Sequence, residues 1–180
     1  MKYYAGIGPR KTPTDVQHIM TDIARQLVPT GWCLRSGYAN GADRAFGRGA
    51  VHQQIFLPWN GYNGATSNGI DKACLEPSKQ QLDIAEDSHP AWEKCSPEAR
   101  VLLARNVPII LGETLDDPVE CVITWTPEAN YQGGTAHALR IASNYGVPVF
   151  NMRYRDDQTA MCRFILNVEN RAQSPRKEAA

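Results

Sequence analysis

The sequence predicts an α/β fold: a Rossmann-like three-layer α/β/α sandwich around a mostly parallel sheet of about five or more strands. Three observations carry this expectation. Short, continuously apolar runs recur at residues 2–7, 32–37, 53–58, 121–125 and 147–151. Between several of them lie stretches with the 3.6-residue periodicity of amphipathic helices. Several junctions from run to helix carry glycine. Strands apolar on both faces belong in a parallel sheet covered on both sides, and strands alternating with helices build that cover.

Residues 2–7, "KYYAGI", end at glycine and proline and suit a buried first strand. The next segment has helix signals at both ends: Thr12 as N-cap, Pro13 at the first helical position and Asp15 in the first turn, then Pro29 and Gly31 as terminators. Val16, Ile19, Met20, Ile23, Ala24, Leu27 and Val28 form its inward stripe. Residues 32–37 read as a second strand, 41–51 as a short helix packed through Ala42, Ala45 and Phe46, and 53–58 as a third strand. From Trp59 to about Pro97 the chain is rich in Gly, Asn, Ser, Pro and charge and reads as an insertion (59–97) holding one short helix over 78–87.

Residues 96–107 open with a serine cap, a proline and a glutamate, which predicts a helix. Residues 121–125 are a fourth strand, 135–145 a helix facing inward through Ala138, Leu139, Ala142 and Tyr145, and 147–151 a fifth strand. A last helix around 159–168 precedes a polar tail. This organisation is a single domain over 1–170 with a C-terminal tail over 171–180.

The chain has 180 residues, with 19 basic and 19 acidic side chains balancing to zero formal charge. No global field draws it to nucleic acid or to an acidic membrane surface. No leader-like N-terminus and no stretch of about 20 apolar residues is present, so the expected location is cytoplasmic. Cys33, Cys74, Cys95, Cys121 and Cys162 are scattered without a C-x-x-C pair, which argues against a disulfide framework and a zinc site. His18, His52, His89 and His137 fall on separate elements, so no metal is expected. Asp116 and Asp117 precede Pro118 and read as solvated turn carboxylates.

Parallel α/β sheets bind ligands beyond the carboxyl ends of their strands. The first such end, "GIGPRKTP", has Gly6 and Gly8 for close backbone approach, a capped helix after them, and the cations Arg10 and Lys11. A plain strand-to-helix turn would read the same way. The second end, "RSGYANGADRAF", places Asp43 in the first turn of a helix, as a structural partner of its N-terminus or an acceptor for ribose hydroxyls. At the third, Trp59 either stacks on a base or covers a surface. The fourth, after "CVITW", starts a helix with Gly133, Gly134 and Thr135. Adjacent glycines cost roughly 1 kcal/mol each inside a helix, so a special backbone shape is the better account, either a concavity that cradles an anion or a bare left-handed turn.

Taken in order, "YYAGIGPRKTP", "LRSGYANGADRAF" and "WTPEANYQGGTAHALRIASNYGVPVFN" resemble the SLOG superfamily. That is the Rossmann-like fold of DNA-processing protein A (Smf) and the lysine-decarboxylase-like "lonely guy" phosphoribohydrolases, and the likeness is greatest to small stand-alone bacteriophage and prophage members. The resemblance spans most of residues 2–151. It implies a pocket for a nucleotide or nucleotide-derived ligand, with phosphate held by glycine loops: Gly8 and Arg10 in the first, Ser36, Gly37 and Asp43 in the second, Gly133, Gly134 and Thr135 in the third. Gly6, Lys11, Thr12, Trp59 and Trp125 complete the expected ligand-binding set.

Two positions depart from the pattern. Pro9 stands where phage members often have serine, which removes a hydroxyl and an N–H donor. The phosphoribohydrolase motif P-G-G-x-G-T-x-x-E ends in a catalytic glutamate, and the residue three after Thr135 is Ala138. The leading expectation is therefore a non-catalytic binder, which in a phage would sequester or sense an NAD-derived or cyclic-nucleotide defence signal. The alternative is a nucleoside-monophosphate N-glycosidase using a displaced acid, Glu113, Glu120 or Glu128. A single-stranded-DNA recombination mediator comes third, disfavoured by the neutral charge. The resemblance also implies a homo-oligomer, and the insertion with Trp59, Tyr62 and Trp92 is a candidate for that contact or for a ligand lid.

Overall fold

A computed structural model describes residues 1–69, 71–74, 76–127 and 133–173. Six strands form one all-parallel sheet: β1 (Lys2–Gly6), β2 (Trp32–Ser36), β3 (Gln53–Leu57), β4 (Lys72–Cys74), β5 (Cys121–Thr124) and β6 (Val149–Asn151), in the order β4-β3-β2-β1-β5-β6. Among the described residues seven α-helices accompany them: α1 (Thr14–Leu27), α2 (Ala42–Gly49), α3 (Lys79–Asp87), α4 (Pro97–Ala104), α5 (Asn106–Leu111), α6 (Gly133–Asn144) and α7 (Arg155–Gln173). The predicted α/β/α sandwich is the fold observed.

Alternate side chains of each central strand feed opposite layers, as a period of two requires. On one face Tyr4, Leu34, Cys121 and Ile123 pack with Met20, Ala24 and Leu27 of α1, Phe46 of α2 and Met161 of α7. On the other, Ala5, Phe56 and Val122 pack with Ala85 of α3, Leu103 of α4, Ile109 to Leu111 of α5, and Ala138 and Ile141 of α6. Every residue of β2 and β5 is buried. Their near-continuous apolar character follows from cover on both faces.

Several elements differ from the sequence-based reading, each for a local reason. Residues 59–97 hold the expected short helix, and they contribute more to the sheet and core than the sequence suggests. They supply edge strand β4 and helix α3, whose Ala85 has no exposure, and Trp92 and Tyr62 are buried too. A three-residue strand, "KAC", is too short to show any period. α3 starts with a reciprocal capping box: Ser78 Oγ accepts from Gln81 N, and Gln81 Oε1 accepts from Ser78 N.

The single helix expected over 96–107 is two, α4 and α5, meeting at Arg105. Pro108 lacks an N–H and its ring crowds the carbonyl of Ala104 in a continuous helix, so the turn breaks there. Thr12 does not cap α1: its hydroxyl donates to Pro9 O at 2.7 Å, Pro13 is extended, and the helix begins at Thr14 without a side-chain cap. Ile19 and Tyr145, assigned to inward stripes, are 52% and 49% exposed. Tyr145 lies just past the end of α6, and Ile141 fills the inward position. α7 extends past the expected 159–168 and takes in residues 171–173 of the expected tail; residues 174–180 lie outside the described residues.

Asp117 is more than a solvated turn carboxylate. It accepts from the buried Arg35 guanidinium at 2.7 Å, and Arg35 also stacks on Tyr3 with its guanidinium carbon 3.7 Å from the ring centre. No described helix is long and apolar enough to cross a membrane.

Candidate functional site

From central strand β1 the chain steps to β2 on one side, while β5 lies on the other. Such a switch in strand order leaves a crevice beyond the carboxyl ends, between the loops that diverge. A cleft of about 500 Å³ occupies that position. Its walls are Gly8 and Arg10 after β1, Ala39 and Asp43 after β2, Thr126 after β5, Gly133 to Thr135 at the start of α6, and Arg105 and Asn106 at the junction of α4 and α5. The volume suits a small organic ligand.

The backbone geometry explains two of the glycines directly. A Cβ on Gly8 would stand 2.7 Å from the Ala42 Cβ, so the β1 loop and α2 meet this closely only with glycine there. Gly133 has φ +74°, a left-handed conformation disfavoured for residues with a side chain. The first N–H groups of α6 have no partner within the helix, and its N-terminus opens on the cleft.

Three charged side chains line the cleft among the described residues: Arg10, Asp43 and Arg105. Asp43 is buried and accepts from Gly37 N and Ala39 N, both at 3.2 Å, which fastens the loop after β2 to the start of α2. Burial pushes its carboxyl above the usual aspartate range, against the opposing pull of Arg105 and of the backbone donors. The Arg105 side chain is only 9% exposed; its nearest carboxylate oxygen, on Asp43, is 4.0 Å away. Its Nε is buried without a hydrogen-bond partner. Burial lowers its pKa, with Asp43 acting the other way; an arginine keeps its charge regardless. The ring of Tyr62 lies 5.7 Å from the guanidinium, and the Tyr62 hydroxyl accepts from Arg10 at 3.3 Å.

Of the expected ligand-binding residues, Gly8, Arg10, Asp43, Gly133, Gly134 and Thr135 converge on this cleft. The others stand behind it or away from it. Gly6 admits the Phe46 and Leu34 side chains, which a Cβ would meet at 2.6 and 2.7 Å. Ser36 is fully buried and its hydroxyl donates to Gly6 O at 2.7 Å. Gly37 makes room for the Arg105 guanidinium, which occupies the space a side chain would take. Thr12 closes its own turn through Pro9. Lys11 is exposed outside the lining, Trp59 sets its ring edge-on to Tyr62 at 5.3 Å, and Trp125 packs against the α1, α2 and α7 layer.

Neither Glu113 nor Glu120 lines the cleft; both precede β5 and belong to the segment entering its amino end. Glu128 lies outside the described residues. His137, next to the glycine turn in sequence, is fully buried with its ring turned into the α3 and α5 contact. Among the described residues no group of three or more His, Cys, Asp or Glu side chains could hold a metal ion.

Arg105 and Asn106 are the residues the sequence reading missed. The one signal for them was a polar pair inside the apolar run "VLLARNVPIIL". Among the described lining residues, two guanidinium groups stand against one carboxylate, an excess of positive charge. Together with a helix N-terminus and close-approach glycines, that arrangement is chemically suited to an anion. Set against family models, curated proteins and solved structures, the chain matches none of them.

Proposed function

We propose that the cleft binds a small phosphate-bearing molecule, a nucleotide or nucleotide derivative, and holds it without turning it over. The observation that carries this reading is Arg105. A guanidinium nine-tenths buried and lining a cleft, whose Nε has no partner and whose charge is met among the described residues only by Asp43 at 4.0 Å and by Tyr62, is incompletely offset for such burial. An anion in the cleft completes that offset, next to the N-terminus of α6. The likeness of the three loops to SLOG proteins supports a nucleotide as the source of that anion.

Holding is favoured over cleavage by the side chains within reach. Ala138 lines the cleft where phosphoribohydrolases carry glutamate, and Asp43, the only carboxylate among the described lining residues, is occupied by backbone donors. In a phage setting such a protein sequesters or senses a nucleotide signal.

Calorimetry with adenosine 5′-monophosphate, ADP-ribose and cyclic nucleotides tests the proposal. Saturable heat with at least one of them is expected. Arg105→Met weakens it by about tenfold to a hundredfold, the worth of a charge-assisted hydrogen bond. Chromatography of the same mixtures shows intact ligand; released base would replace the holding role with N-glycosidase chemistry. Silence across the panel from folded protein would overturn the assignment.

A further inference from the structure

Behind the glycine turn runs a buried chain of hydrogen bonds that none of the cleft contacts requires. Asn106 Nδ2 donates to Gly134 O at 3.1 Å and lies 3.1 Å from His137 Nδ1. His137 Nε2 is 2.9 Å from Ala85 O. Ala85 O is a carbonyl and only accepts, so the His137 proton sits on Nε2. That leaves Nδ1 as an acceptor, and the two amide hydrogens of Asn106 then go one to Gly134 O and one to Nδ1. One assignment of donors satisfies every bond from α3 through α6 and α5 back to the turn. The side chains are held tightly: His137 has no exposure and Asn106 only 5%.

We infer that His137 is a positioning residue for the anion site, acting through Asn106 to fix the backbone of the turn from Gly133 to Thr135. The inference rests on the binding reading above for its purpose. Two adjacent glycines have the widest backbone freedom in the chain, and a phosphate cradle built on them works only if that freedom is removed beforehand. Asn106 removes it at the Gly134 carbonyl. His137, which does not line the cleft, fixes the orientation of the Asn106 amide; without an acceptor at Nδ1 the amide is free to rotate off Gly134.

Two conservative variants separate this role from simple packing. His137→Asn keeps an acceptor near the Nδ1 position and gives up the bond to Ala85. His137→Gln reaches Ala85 and gives up the acceptor for Asn106. The expected order is therefore the reverse of the order by volume. Amide order parameters of Gly133, Gly134 and Thr135 stay near the rigid value of about 0.85 in His137→Asn and fall toward about 0.6 in His137→Gln. Affinity for adenosine 5′-monophosphate falls about threefold to tenfold in His137→Gln, the worth of one hydrogen bond, and less in His137→Asn.

Equal turn order in the two variants, or a more mobile turn in His137→Asn, overturns the inference. Order parameters are read on free protein, so their outcome is independent of whether the wild type binds any nucleotide. Failure of the binding reading is thereby distinguishable from failure of this one.

Discussion

At the scale of single residues, Gly37 and Arg105 work as a seat and its occupant. The guanidinium lies where any side chain at position 37 would be, so Gly37→Ala must push Arg105 out of its place beside Asp43. Loss of nucleotide affinity comparable to that of Arg105→Met is the expected calorimetric outcome, and unchanged affinity would separate Arg105 from the anion. His137 gives a second prediction, for stability. Burial holds its pKa down at about 4, against 6.5 for a free imidazole. The unfolded chain therefore takes up a proton between those values that the folded chain refuses. Its contribution is fully present above pH 6.5 and is lost as pH falls toward 4, amounting to about 3 kcal/mol. Urea midpoints measured between pH 7 and 4.5 should fall more steeply in the wild type than in His137→Gln.

At the scale of elements, α3 is the clearest instance of local chemistry placing a helix against the core. Its capping box satisfies donors at both ends of a reciprocal pair, and Ala85 sits against α5 and α6. Ser78→Ala should cost about 1 kcal/mol and lower Tm by about 2–4 °C, measurable by thermal denaturation monitored by circular dichroism. The same scale shows what was legible in the sequence. Strands β1, β2, β3, β5 and β6 announced themselves as apolar runs, and the three loops that contribute Gly8, Asp43 and Gly133 were visible as glycine turns at strand ends. β4 was hidden because three half-buried residues carry no period. Arg105 and Asn106 were hidden because their meaning lies in a helix break whose far side faces a loop from β2. Gly6 and Gly37 looked like ligand glycines, yet their missing side chains make room for Phe46, Leu34 and Arg105. A sequence shows that a position must be small; only packing shows what fills the space.

At the scale of the whole molecule, zero net charge and a locally cationic cleft set the kind of electrostatics to expect. Arg105 is sheltered from solvent, so its attraction for an anion is screened less than that of surface lysines. Raising salt from 50 to 200 mM should weaken adenosine 5′-monophosphate binding by less than tenfold in calorimetry. A DNA-coating protein with many phosphate contacts would lose a thousandfold or more. No gel-shift of single-stranded DNA is expected at the higher salt.

The pairing of β1 with β5 sets Tyr4 beside Cys121 and Gly6 beside Ile123, joining the two ends of the chain's longest excursion between neighbouring strands. The cleft opens at that seam. No early fragment of the chain contains it, because Gly8 comes from one side of the seam and Gly133 and Arg105 from the other. Contacts so distant in sequence pay their loop-closure entropy late in folding. A ligand bound as proposed would clasp the contacts that close the longest loop in the sheet. Its stabilisation should appear as slower global unfolding rather than as quieting of any one loop.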